Sequence, residues 1–334
     1  MSGTPVIAID AMGGDRAPGE IVAGACAAAS EVGVGILLVG RPDAIEAHLP
    51  GGSLPPGVEI LGASEVIGMD DEPAAAIRSR KDSSIVRCAE VVRDGGAAAM
   101  VGAGNTGATM AAALLRWHRI PGVHRPAIAV PLPVFGSDTP QLLVDAGATV
   151  DPDPEWLVEW ALLTREYARF RIGTAEPTVA LLANGEEAGK GDSLRKRASE
   201  LMASVPGFVG NVEGRDLMNG GADIIVTDGF TGNVALKALE GAVKGLAGLV
   251  LGVIGEPGPW SDAAPALIER LLTAAAPLVP DNTGGGLLLG VNGVCIISHG
   301  SSSATAIVNA VRLARDCVEA DVVTRLKGAI AVAG

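Results

Sequence analysis

The chain has 334 residues, 48% of them hydrophobic but only 3% aromatic, with 46 glycines. It is long enough to bury a large core of Ala, Val, Leu and Ile, and that composition excludes a disordered or fibrous protein. A formal net charge of −13 argues against nonspecific binding to nucleic acid or anionic lipid, both of which need a cationic face, while leaving room for a local basic patch. Cys26, Cys88, Cys295 and Cys317 fall in no metal-ligand or C-x-x-C spacing, so they read as core thiols of a reducing compartment.

The N-terminus passes without a signal-peptide pattern into the apolar strand Val6–Ile9, so a soluble, cytoplasmic protein is expected. That strand ends at Asp10, and the loop Asp10-Ala11-Met12-Gly13-Gly14-Asp15 leads to a helix from Pro18 to Ser30, proline suiting a first turn. Ligands of open α/β sheets gather at strand carboxyl ends, which makes Asp10 a candidate site residue, whereas Asp15 reads as a cap. Strands at Val34–Val39 and Val58–Leu61, with a short helix Asp43–His48 between them, set up the alternation of a parallel sheet. Arg78, Arg80 and Lys81 precede a helix Ser84–Arg93 whose Ile85, Ala89 and Val92 share one face. Two readings stand for these cations: a solvated face, or a docking patch for an acidic partner or a phosphate-bearing ligand.

A strand Ala97–Val101, the turn Gly102-Ala103-Gly104-Asn105-Thr106-Gly107 and a helix Thr106–His118 form the most informative stretch. Glycine permits a turn whose amides face outward, and the helix start adds a positive dipole end, so Gly104, Asn105, Thr106 and Gly107 are candidates for binding phosphate or an oxyanion. The letters also satisfy G-x-G-x-x-G, but a dinucleotide site wants an acid about 20 residues on. The next strand, Ala127–Leu132, ends without one and Asp138 lies beyond it. His124 and Arg125 keep a 2′-phosphate variant open, and a merely structural tight turn is the third reading.

Prolines place the strand Arg125–Pro133 at an edge or a bend. Leu142–Asp145 is a strand ending in a second candidate carboxylate, Asp145, before the helix Pro154–Phe170. After the strand Thr178–Ala183, the loop Asn184–Gly191 resembles a P-loop. Its spacing G-x-x-x-G-K-G is one residue short, and no Ser or Thr follows the lysine. What survives is Lys190 bracketed by glycines before the helix Asp192–Ala203, a candidate ligand contact. Gly207–Val212 and Asp223–Thr227 are further strands, and the turn Asp228–Asn233 opens a helix at Val234, bringing Asn233 into the candidate set. With right-handed crossovers these loops converge on one edge of the sheet.

Residues 234–280 read as a helical hairpin broken at Gly255–Trp260, with an apolar tip suited to dimer packing or to a membrane surface. Its most hydrophobic run, Gly245–Gly255, is 11 residues, too short to span a bilayer. Pro280–Gly286 is a flexible joint. The last strand, Gly290–Ile297, delivers Ser298-His299-Gly300-Ser301-Ser302-Ser303 to a helix with Ile307, Ala310, Val311, Ala314 and Val318 facing inward. A lone histidine is often structural, but a strand end among hydroxyls and glycine makes His299 a catalytic candidate.

Six segments taken in order, Ile9–Asp15, Arg78–Ser84, Gly104–Ala108, Gly185–Gly191, Gly210–Asp216 with Asp228–Asn233, and Leu289–Ser302, resemble the phosphate acyltransferase family known as PlsX over nearly the whole chain. The resemblance implies an enzyme that joins inorganic phosphate to the acyl group of acyl-acyl carrier protein, giving acyl phosphate for phospholipid synthesis. It also implies a three-layer α/β/α fold with a mostly parallel sheet, similar to isopropylmalate dehydrogenase and phosphate acetyltransferase, and a homodimer. One catalytic domain over residues 5–330 would contain the hairpin. The chain departs from the family at Arg16, where histidine is common, at Thr149, where asparagine is common, and at Ser303 and Thr305, which replace an acid and a lysine.

Phosphate is already an anionic nucleophile near neutral pH, and a thiol of pKa roughly 8.5 leaves readily as thiolate. Attack on a thioester therefore needs positioning more than a strong base. Donors aimed at the developing charge are worth about 3–4 kcal/mol each. Gly104, Asn105, Thr106, Lys190 and Asn233 would surround phosphate and oxyanion, His299 would serve the departing sulfur, and Asp10 and Asp145 would orient them. Arg78, Arg80 and Lys81 would meet the acidic carrier protein. No cofactor and no metal are expected, because no phosphoryl group is cleaved and no ligand cluster stands out. The rivals are a metal- and NAD(P)-dependent dehydrogenase of similar fold and a noncatalytic carrier-binding scaffold.

Overall fold

Short runs of Val, Ile, Leu and Ala become eleven strands of a single sheet in the computed structural model, which describes residues 3–333. The first half runs β1 (Val6–Asp10), α1 (Gly19–Glu31), β2 (Gly35–Gly40), α2 (Pro42–Glu46), β3 (Val58–Gly62), α3 (Pro73–Ser79), α4 (Ser84–Arg93), β4 (Ala99–Gly102), α5 (Thr106–Trp117) and β5 (Ala127–Leu132). There follow β6 (Gln141–Val144), α6 (Pro154–Arg171), β7 (Val179–Leu182), α7 (Ser193–Met202), β8 (Phe208–Val212) and β9 (Ile224–Val226). The chain closes with α8 (Gly229–Gly255), α9 (Ala264–Ala275), β10 (Gly286–Leu289), β11 (Val294–Ile297), α10 (Ala304–Glu319) and α11 (Val322–Ala333).

The strand order is β3-β2-β1-β4-β11-β10-β5-β6-β9-β7-β8. Among the described residues pairing is parallel except at β11–β10, β10–β5 and β5–β6, so the sheet is mostly parallel, as expected. Strands β4, β6, β7, β10 and β11 are buried along their whole length, whereas the edge strands β3 and β8 are partly exposed. Strands covered on both faces read as continuous apolar runs, which is why they were legible as such. Helices α1, α6, α7, α10 and α11 cover one face and α3, α4, α5 and α8 the other, giving three layers.

Several expectations are corrected. Three antiparallel junctions reverse the direction of β6, β9, β7 and β8 relative to β3, β2, β1, β4 and β11. The loops after β1, β4 and β11 therefore lie on one edge of the sheet, and those after β6, β7 and β9 on the opposite edge, not all on one. β5 is central and buried rather than an edge strand, despite Pro131. β10 pairs with β5 only over Ala127–Ala129, so the proline lies beyond that ladder and its missing N–H costs nothing there. The joint at 280–286 ends in a strand, β10, and the basic patch begins on a helix, α3, which holds Arg78 and is capped at its C-terminus by Arg80.

The hairpin is present as α8 and α9, but α8 starts at Gly229 and runs 27 residues. The apolar stretch from Gly245 is thus the end of a helix that is long and apolar enough to cross a membrane by length and composition, which overturns the argument from 11 residues.

Candidate active site

The two edges meet over one face of the sheet because α8 bridges them. Asp228 caps α8 at the edge formed by β9, its side chain accepting from the Thr231 amide at 2.8 Å. Nine residues of helix rise about 13 Å, close to the span of a four-residue strand. Lys237 and Glu240 accordingly arrive at the far edge, beside His299 on the loop after β11. Between α8 and the sheet lies a cleft of about 440 Å³ floored by Ile128, Val130 and Leu132 and walled by Leu236, Leu239 and Val243. Its polar rim holds Gly104 and Thr106 from one edge, Gly147 and Asn233 from the other, and His299 with Lys237 and Glu240. That volume is ordinary for a small-molecule site, roughly 300–1,000 Å³.

The glycine turn has the expected strand, loop and helix around it, and its glycines make room for the protein itself. A side chain at Gly13 would come within 3.0 Å of the Gly104 backbone, and one at Gly107 within 2.6 Å of Pro73, so the loops after β1 and β4 touch backbone to backbone. Asn105 is the N-cap of α5: Oδ1 accepts from the Ala108 amide at 3.0 Å, while Nδ2 donates to the carbonyls of Met69 and Asp71 at 3.1 Å. Its side chain is thus occupied in holding the 68–71 loop, and it is Gly104 and Thr106 that line the cleft. The first turn of α5 presents its positive dipole end there.

Asp10 and Asp145 are buried beneath this rim, at 5% and 0% exposure. Burial raises the Asp10 carboxyl above the usual range, against hydrogen bonds from Ser84 and the amides of Met12 and Gly13. Asp145 accepts four backbone N–H groups, from Ile128, Gly147, Ala148 and Thr149, and burial still pushes it up to about 6. Asp145 folds the 146–149 turn into a tight loop whose Gly147 packs under Asn233, a Cβ there falling 3.5 Å from the asparagine.

His299 is held below the ordinary histidine range, first by burial and then by the Lys237 ammonium, against the pull of Glu240 and Asp281. A neutral ring then accepts from Lys237 Nζ at Nδ1, 3.1 Å away, while Nε2 stands 3.3 Å from Oε1 of Glu240. Lys237 also donates to Glu240 Oε2 at 2.8 Å. The loop carrying His299 is closed by Ser302, whose hydroxyl donates to the His299 carbonyl at 2.6 Å, and Ser303 caps α10.

Lys190 is exposed on the loop after β7 and does not line the cleft. The neighbouring cation on that edge is Arg195, which bonds the Thr231 hydroxyl at 2.9 Å and pairs with Asp228, anchoring the start of α8. Of the basic patch, Arg80 donates to Asp71 through both terminal guanidinium nitrogens and to the Val66 carbonyl, leaving Arg78 and Lys81 exposed. Arg195, Lys237 and Glu240 escaped the sequence reading. Their one local signal is the i, i+3 spacing of Lys237 and Glu240 just past a glycine-bracketed turn. Among the described residues no three His, Cys, Asp or Glu side chains gather as a metal site.

This mostly parallel three-layer fold is shared with solved phosphotransacylases. The phosphotransacetylase of Streptococcus pyogenes superposes with a TM-score of 0.62 at 16% identity, over 96% of this chain and 95% of that one. Residues 6–325 match the family described as fatty acid synthesis protein. The chain is 47% identical over 330 residues to the phosphate acyltransferase of Heliobacterium modesticaldum, covering 96% of each, and 44% identical over 327 residues to that of Nostoc punctiforme, covering 96% of this chain and 95% of the relative. It belongs to the phosphate acyltransferase family and is an acyltransferase.

Proposed function

We propose that the chain transfers a fatty acyl group from acyl-acyl carrier protein to inorganic phosphate, forming acyl phosphate for phospholipid synthesis. The observation that carries this is the division of the cleft into an anion-suited rim, from Gly104 to His299, and an apolar floor of Ile128, Val130 and Leu132 under Leu239 and Val243. An acyl chain lies along the floor and its carbonyl meets phosphate at the rim. Arg78 and Lys81, exposed beyond the loop that carries Met69 into the cleft wall, are taken as the docking cations for an acidic carrier. Incubated with acyl-acyl carrier protein, the enzyme is expected to release free thiol only when phosphate is present, in equal amount with acyl phosphate. Rising ionic strength is expected to raise KM for the carrier with little change in kcat. Thiol release at the same rate without phosphate would make the chain a thioesterase and end this reading.

The α8–α9 hairpin exposes Leu246 and Leu249, at 63% and 66%, with Val253, Leu267 and Leu272. An apolar surface of this kind marks a contact, and we take a second copy of the chain as its cover. Sedimentation is expected to show a dimer that Leu249→Glu dissociates; a parent that sediments as a monomer at micromolar concentration rules this out.

A further inference from the structure

We propose, resting on the acyl-transfer reading above, that Lys237 is a catalytic residue whose ammonium holds the attacking phosphate and the thioester oxyanion, with Glu240 and His299 as its positioning residues. The charged or titratable side chains lining the cleft, among the described residues, are Asp15, Lys237, Glu240 and His299. Two are acids and the histidine is neutral, so Lys237 is the one cation there able to offset a phosphate dianion. Of the neighbouring cations, Arg195 is bound to Asp192, Asp228 and Thr231, and Arg16, Lys190 and Lys244 do not line the cleft.

An ammonium has three donors. Glu240 Oε2 takes one at 2.8 Å and His299 Nδ1 a second at 3.1 Å, which fixes a flexible side chain and leaves the third donor for a ligand. These contacts come from two elements, α8 and the loop after β11, so the position of Nζ depends on both edges of the sheet being in place. Asp281 also faces His299, adding a second acid to Glu240 on that side of the ring.

In the step itself, an anionic oxygen of monohydrogen phosphate attacks the thioester carbonyl carbon and the carbonyl electron pair moves onto its oxygen, beside Lys237. The oxyanion collapses, the carbon–sulfur bond breaks with its electrons going to sulfur, and the proton carried on the phosphate passes to the thiolate. Acyl phosphate and free thiol result, and no other reactant is needed.

Three variants test this. Lys237→Met is expected to lower kcat/KM for phosphate by about 10²–10³-fold and to weaken calorimetric binding of inorganic phosphate by about tenfold, with the melting temperature unchanged because the side chain is 53% exposed. Lys237→Gln, which keeps the reach without the charge, is expected to match it. Glu240→Ala removes the acceptor that fixes Nζ and is expected to raise KM for phosphate by about tenfold with little change in KM for the acyl thioester, a split between the two substrates that a purely structural role would not produce. Turnover by Lys237→Met and Lys237→Gln within threefold of the parent, with unchanged phosphate affinity, overturns the inference and leaves acyl transfer standing. A parent that does not form acyl phosphate removes both.

Discussion

Gly232→Ala is expected to cost about 3 kcal/mol or more of folding stability, the upper range for overpacking, and most of the transfer activity. A Cβ at this position would lie 1.9 Å from the Asp145 carbonyl oxygen and 3.0 Å from its carbon. Both partners are backbone, so no side chain can swing away. The helix cannot shift as a whole either, because the Asp228 cap and the bond from the Gly229 amide to the Thr149 carbonyl, 2.9 Å, fix its first turn. Relief has to come from lifting α8 off the end of β6, which opens the cleft and carries Lys237 away from His299. Gly241→Ala in the same helix has nothing within 4 Å of its Cβ and is expected to gain about 1 kcal/mol from helix propensity alone. Urea unfolding of the pair measures the contrast, and a Gly232→Ala midpoint equal to that of the parent would show that α8 does not pack on β6 this closely.

Arg195→Met is expected to lose about 3–5 kcal/mol, the usual cost of stripping one partner from a buried ion pair. The Arg195 and Asp228 side chains are only 12% and 7% exposed. Burial raises the Asp228 carboxyl, but the Thr231 amide and hydroxyl and the Arg195 guanidinium outweigh it and hold the group below the ordinary range. A depressed folded pKa contributes stability above the unfolded value that is lost as pH falls through the folded one. Without the guanidinium, burial is less opposed and the folded pKa rises, so that contribution shrinks or reverses. The deficit of the variant relative to the parent should therefore be largest at pH 7 and narrow toward pH 4, read as urea midpoints at the two values. An equal deficit at both would assign the loss to packing instead of charge.

Much of the local structure was legible. Apolar runs bounded by glycine gave the strand positions, and Pro154, at the start of α6, and Asp192, the N-cap of α7, mark helix starts by chemistry that acts within one turn. Asp228 misled by the same logic: the glycines after it read as a turn, whereas Gly229 and Gly232 lie in the first turn of α8, where Asp145 and Thr149 of the loop after β6 leave no room for a side chain. Asn105 was picked out for its place in the glycine turn, but its contacts with Met69 and Asp71, 36 and 34 residues away, could not be read from that turn.

Where apolar runs, turns and helix starts fall was determined by residues a few positions apart, and so the chain by itself specified an α/β protein with the alternation of a parallel sheet and an anion-suited turn. Strand direction was decided only by pairing over long separations, such as Ala127–Ala129 of β5 against Leu287–Leu289 of β10, because an apolar run looks the same whichever way it points. The same holds for Lys237, an ordinary helical lysine until the fold sets it against His299, 62 residues later. Electrostatic neighbours depend on distance in space, and only the folded sheet sets that distance.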